Sequence, residues 1–180
     1  MSDSDNLINK SAFLFDVLKR YDHYVATTNF KVGLMMSFIG AIILGLTIRV
    51  MSLVPEAGSC NYLYYSAIIF SILTITFSLC SAINLLRVVF PNTTTSSDYK
   101  SLIFFGDVKN TENGADGYIK KIEEVTSADL LKDLSKQTYV VAGIIDGKFR
   151  LLKTSVRMIS YGVIPLLAIS LLLLILEGVI

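Results

Sequence analysis

The sequence predicts an all-α membrane protein with three transmembrane helices, an N-terminal amphipathic helix and a small, mostly helical cytosolic domain. Three observations carry that reading. Of 180 residues, 53% are hydrophobic and 17% charged, and the mean hydropathy of +0.60 is too high for an ordinary soluble domain. Three apolar runs, 32–54, 62–89 and 158–180, are each long enough, at about 1.5 Å per helical residue, to cross a hydrocarbon core of roughly 30 Å. Lys and Arg flank these runs on one side only, as the positive-inside rule requires of an inserted protein.

Residues 1–31 are expected to form a cytosolic amphipathic helix. Leu7, Leu14, Leu18, Tyr21 and Val25 share one face while Lys10, Lys19, Arg20 and Asp22 point elsewhere, which suits a helix packed on a polar domain or laid on lipid. No basic stretch leads into a short apolar segment at Met1 to Asn6, so no signal peptide is expected. The first span, 32–54, stops at Pro55, and Gly33, Gly40 and Gly45 let another helix come close. Arg49 lies about one turn from its end, where an arginine faces protein or water or snorkels to the interface. The short loop 55–61, with Glu56 as its one charge, reads as external.

The second span, 62–89, opens on the interfacial aromatics Tyr62, Tyr64 and Tyr65 and closes near Arg87. Along it Tyr64, Ala67, Ser71, Thr74, Ser78, Ser81 and Leu85 recur at steps of three and four. Such a stripe suits close helix packing in lipid and equally the lining of a wet pore, and the sequence leaves both open. Cys80 is expected as a small packing residue, and with Cys60 it matches no zinc or redox spacing.

Residues 90–157 make the cytosolic domain. A polar loop with the sequon Asn92-Thr93-Thr94 comes first, then an apolar piece from Leu102 to Phe105 and a turn at Gly106 and Asp107. A loop rich in Asn, Gly and Asp leads to a helix from Tyr118 to about Val125. From Ser127 the chain is expected to run as one helix to Ile180, capped through Thr126, Ser127 and Asp129. Leu131, Leu134, Thr138, Val141, Ile145 and Leu152 form its packing face, with a longer gap over Lys148, and Gly143, Gly147 and Pro165 are the places for a bend. The charges stop after Arg157, where the third span, 158–180, begins. Glu177 reaches a depth similar to Arg49, so either the two pair or Glu177 snorkels.

Charge sets the topology. The N-terminus and 90–157 carry the Lys and Arg residues and belong in the cytoplasm, which leaves the C-terminus outside. No pattern supports catalysis: the one histidine, His23, has no nucleophile, metal-ligand set or phosphate loop at a useful spacing, and no metal or cofactor is expected. The informative chemistry is cationic. Lys148, Arg150, Lys153 and Arg157 precede the third span, Lys120 and Lys121 lie in the helix before, and Lys31 and Arg87 end the other spans. Together they would ring the mouth of a helical bundle and hold phosphate oxygens by charge-assisted hydrogen bonds, with Tyr118, Tyr139 or Phe149 stacking on a base. Attraction to anionic lipid headgroups accounts for many of the same cations. The candidate ligand residues are thus Lys120, Lys121, Tyr139, Lys148, Arg150, Lys153 and Arg157. Ser71, Thr74, Ser78, Ser81, Arg49 and Glu177 are candidates for pore lining or helix packing.

The stretch from Phe104 to Arg157 resembles the Pycsar-type transmembrane effectors of bacterial antiphage defence. The resemblance rests on the turn Phe105-Gly106-Asp107, on Tyr118, on Asp133 with Gln137, and on the basic segment Lys148 to Lys153 before an apolar span. The entry to the first span, YDHYVATTNFKVGLMMSF, is similar too, with Asn29 where that family's Asp-x-Lys element has Asp. The resemblance implies a multi-pass effector in the bacterial inner membrane that responds to a nucleotide made by a cognate cyclase or nucleotidyltransferase. Its ligand would be a cyclic pyrimidine mononucleotide or, as in Hailong-type channel effectors, a single-stranded DNA oligomer. Three helices cannot enclose a wide water path, so a nucleotide-gated channel or pore requires a homo-oligomer in the lipid, expected as a tetramer. The competing expectation is a non-conducting membrane scaffold that recruits a cytosolic protein.

Overall fold

The computed structural model describes residues 3–53, 61–90 and 100–177; the sequon at Asn92, Cys60 and most of the loop 55–61 lie outside them. It is built of helices, with no strand among the described residues: α1 (Asp3–Met51), α2 (Asn61–Val89), α3 (Phe105–Lys109), α4 (Gly114–Glu124), α5 (Ser127–Met158) and α6 (Ile164–Glu177). A π-helical turn, Ile159–Val163, joins α5 to α6. Three helical stretches, one in α1, one in α2 and one from α5 through α6, are long and apolar enough to cross a membrane. The amphipathic N-terminal segment and the first span form a single helix, because Asn29, Phe30 and Lys31 bring no proline or glycine to end it.

The chain divides into two compact units. The first contains residues 1–27 and 92–147, the second residues 28–91 and 148–180, so that α1 and α5 each contribute to both. In the second unit α2 runs antiparallel to the π-turn and α6. Asn84 reaches Met158, Phe77 touches Gly162, and Thr74 meets Ser170, so positions fall along one helix as they rise along the other. Two apolar clusters fill the space between the helices. Val32, Ile39, Leu85, Val88, Leu152 and Ile159 form one, and Ile42, Leu46, Ala67, Val163 and Leu174 the other. Large apolar side chains such as Leu34, Leu44, Ile72, Leu79 and Ile175 point outward, as lipid-facing residues do. Cys80 is among the exposed residues of α2, so the expectation that it packs internally is corrected. The packed face of α2 is already filled by Ser78 and Ser81 on either side of it.

The helix from Ser127 passes Gly143 and Gly147 without interruption and departs from α geometry only at Ile159–Val163. Pro165 gives the reason. It has no N–H for the carbonyl four residues back, and its ring crowds that carbonyl, so the turn before it widens to a longer hydrogen-bond spacing.

In the first unit α4 begins at Gly114, four residues before the expected start at Tyr118. Asn113 and Gly114 both take left-handed backbone angles, φ 63° and 60°, and turn the chain directly into the helix. At α5, the Thr126 hydroxyl accepts the Asp129 N–H at 3.2 Å and donates to the Asp129 carboxylate at 2.6 Å, a reciprocal cap.

Candidate functional site

Within the first unit the residues that carry the family resemblance converge. Asp133 on α5 is 1% exposed, and one of its carboxylate oxygens accepts the Leu102 N–H at 2.8 Å and the Ser101 hydroxyl at 3.2 Å. Ser101 Oγ in turn accepts the N–H groups of Ile103 and Phe104. Asp107 accepts the Ser101 N–H at 2.9 Å, and the Tyr118 hydroxyl donates to the Leu102 carbonyl at 2.8 Å. Asp107, Tyr118 and Asp133, far apart in sequence, thus hold one turn, 101–104. A buried carboxylate is tolerated because hydrogen-bond donors meet it. Gln137, one turn beyond Asp133, is only half-buried.

The second unit has its own anchor. Lys148 lies on the buried face of α5 between Ile145 and Leu152 and is itself buried. Its ammonium donates to the carbonyls of Val88 at 2.7 Å and Val89 at 3.3 Å, and to Asn29 Oδ1 at 3.4 Å. Val88 and Val89 are the last residues of α2, whose carbonyls lack helical donors and lie at the negative end of its dipole. Lys148 therefore caps α2 from α5 and ties both to α1. Burial pushes the Lys148 ammonium below the usual lysine range. With three protein oxygens within hydrogen-bond distance, its ammonium acts in this conformation as a helix cap rather than as an exposed cation. The signal was present in the sequence as a charged residue in the gap of an apolar stripe.

The other cations stay outward. Lys31, Arg87, Arg150, Lys153 and Arg157 are all exposed at this end of the second unit, and on α5 the last three share a face about 10 Å long at helical rise. In the first unit Lys120 is exposed and faces Glu124 at 3.8 Å, Lys121 is half-buried and Tyr139 is 83% exposed. Surface pairs such as Lys120 with Glu124 contribute at most about 0.5 kcal/mol. Charge is segregated between the units: the second carries seven Lys and Arg against two carboxylates, the first nine against thirteen. A small anion is favoured at the exposed cations of the second unit and repelled, on balance, by the first.

Ser71, Thr74, Ser78 and Ser81 are fully buried within the chain. Thr74 Oγ1 lies 2.9 Å from Ser170 Oγ, which identifies the facing helix as α6. Arg49 is exposed and Glu177 half-buried, and of the two alternatives for Glu177, a pair with Arg49 or snorkelling, the pair is not formed within one chain. Among the described residues no cluster of His, Cys, Asp or Glu could hold a metal.

These features define a helical membrane protein of three spans, with a net-acidic helical unit and a membrane unit with five exposed cations, Lys31, Arg87, Arg150, Lys153 and Arg157, at one end. The model of the Pycsar effector protein domain matches residues 13–176, both units included, and the chain belongs to that family of transmembrane effectors of antiphage defence. No curated protein and no solved structure matches it.

Proposed function

We propose that this chain is the membrane-acting arm of a nucleotide-signalled antiphage response. A cyclic pyrimidine mononucleotide made by a cognate cyclase binds, and several copies then form an ion-conducting path that depolarises the bacterial inner membrane. The observation that carries this reading is the charge segregation. Exposed Arg150, Lys153 and Arg157 line one face of α5 next to the span, in a unit with few carboxylates. Such a face, about 10 Å long at helical rise, suits one phosphate better than a long polyanion. This favours the mononucleotide over a DNA oligomer. Lys120, Lys121 and Tyr139 belong to the first unit and are not part of this face.

The positive-inside rule puts the cationic end in the cytoplasm, where the nucleotide is made, and the C-terminus in the periplasm. Gly33, Gly40 and Gly45 support assembly, since a Cβ added at any of them would meet nothing within 4 Å, and Gly33 with Gly40 leaves one face of α1 open to a second copy. A symmetric tetramer is the proposed assembly. Binding tests the reading. The detergent-purified protein should bind 3′,5′-cyclic UMP or 3′,5′-cyclic CMP, with affinity falling as salt rises. Mass spectrometry of the protein taken from cells expressing the cyclase should find the same nucleotide. Binding of neither, with a cytosolic protein recovered instead, would favour a non-conducting scaffold.

A further inference from the structure

The hydroxyl stripe of α2 is anomalous. Thr74, Thr138, Ser155 and Ser170 each donate to a backbone carbonyl four residues back, the usual way a helix satisfies a buried hydroxyl. Ser71, Ser78 and Ser81 do not. Their oxygens are buried and have no hydrogen-bond partner. Partnerless polar groups at the heart of a membrane unit are disfavoured relative to any state that hydrates them.

At Thr74 the stripe is covered by α6, which is reached through the π-turn. That turn holds one residue more than an α-turn would, and each helical residue corresponds to about 100° of rotation. Conversion of Ile159–Val163 to α-helix would swing the face of α6 by about that angle, taking Ser170 away from Thr74. Pro165 favours the turn, and Gly162 lets the Phe77 ring close against it, since a Cβ there would lie 3.0 Å from that ring.

We propose that the seam of Ser71, Thr74, Ser78 and Ser81 is a closed water path, occupied by water and small hydrated ions when the π-turn converts and α6 rotates off it. This rests on the channel reading above and names its lining. The stripe is helix packing in the closed state and pore lining in the open one, so the two uses of its residues are successive states of one seam.

The test uses the full chain in liposomes, with both native cysteines replaced (C60A, C80A) and single cysteines introduced as Ser78→Cys, Ser81→Cys or, on the lipid face, Leu79→Cys. A charged, water-soluble methanethiosulfonate reagent and potassium flux are measured together, with and without 3′,5′-cyclic UMP or 3′,5′-cyclic CMP. The expected result is flux on nucleotide addition, with labelling of Ser78→Cys and Ser81→Cys at least tenfold faster than without nucleotide and no change for Leu79→Cys. Flux without faster labelling of the seam overturns this proposal and leaves the channel reading standing; no flux overturns both. Independently, the triple variant Ser71→Ala, Ser78→Ala and Ser81→Ala should melt higher than wild type while its nucleotide-triggered flux falls at least tenfold. Unchanged flux would mean that the serines only pack.

Discussion

Replacing Lys148 by Met keeps the length of the stem and removes every donor at its tip. The bond to the Val88 carbonyl, at 2.7 Å, is charge-assisted and contributes about 1.5–3 kcal/mol. The longer contacts to Val89 and Asn29 at 3.3 and 3.4 Å add roughly 1 kcal/mol between them. Relief of the buried charge returns part of this, so the net loss is about 2–3 kcal/mol. For a chain of this size that lowers the melting temperature by about 4–12 °C. Because the chain has no tryptophan, the measurement is circular dichroism at 222 nm in detergent, paired with nucleotide titration well below the transition.

The sign of the pH dependence follows from the same burial. The folded-state pKa of Lys148 lies below the unfolded 10.5, so between the two values the unfolded chain binds more protons and wild-type stability rises with pH. That upward slope should be missing in Lys148→Met. If the melting temperature moved by less than 2 °C while nucleotide affinity fell tenfold or more, Lys148 would be a ligand after all and the capping argument would be wrong.

Asn29→Asp would place a carboxylate beside the same ammonium and should stabilise the protein by about 1 kcal/mol, read as a rise of a few degrees in the same melt. Asp133→Asn should cost about 2–4 kcal/mol, and hydrogen exchange should rise at 101–107 in the first unit while residues of the second unit keep their protection. Tyr118→Phe removes a single hydrogen bond at that turn and should cost only about 1 kcal/mol, with a smaller rise in exchange at the same residues. Reversing the exposed cations with Arg150→Glu, Lys153→Glu and Arg157→Glu should weaken cyclic nucleotide binding at least tenfold and flatten its salt dependence in titration calorimetry, with little change in melting temperature.

Periodicity made most of the helices legible in the sequence. The apolar faces of 7–25 and 131–152, the three spans and the Thr126 cap all follow from residue spacing. The boundaries depended on local chemistry that spacing does not carry. Nothing in the hydropathy separates a helix break at Asn29 to Lys31 from a continuous α1, and the left-handed pair Asn113 and Gly114 starts α4 early. Pro165 was visible as a perturbation, but whether it kinks the helix or widens it to a π-turn depends on how the helix packs against α2. The cations were harder still. In sequence Lys148 looks like Arg150 and Lys153, and only its place on the buried stripe separates a cap for α2 from a surface charge. Asp133 was legible through resemblance alone, because its partners, Ser101 and Leu102, lie about thirty residues away and are brought to it by tertiary folding.

The most direct test of the central claim is ion flux through the purified full-length chain in liposomes of bacterial lipid, followed with a potassium-sensitive dye. Adding 3′,5′-cyclic UMP or 3′,5′-cyclic CMP should collapse the potassium gradient within minutes, and the Arg150, Lys153 and Arg157 charge reversal should abolish the response. A gradient that persists with saturating nucleotide bound would contradict the account.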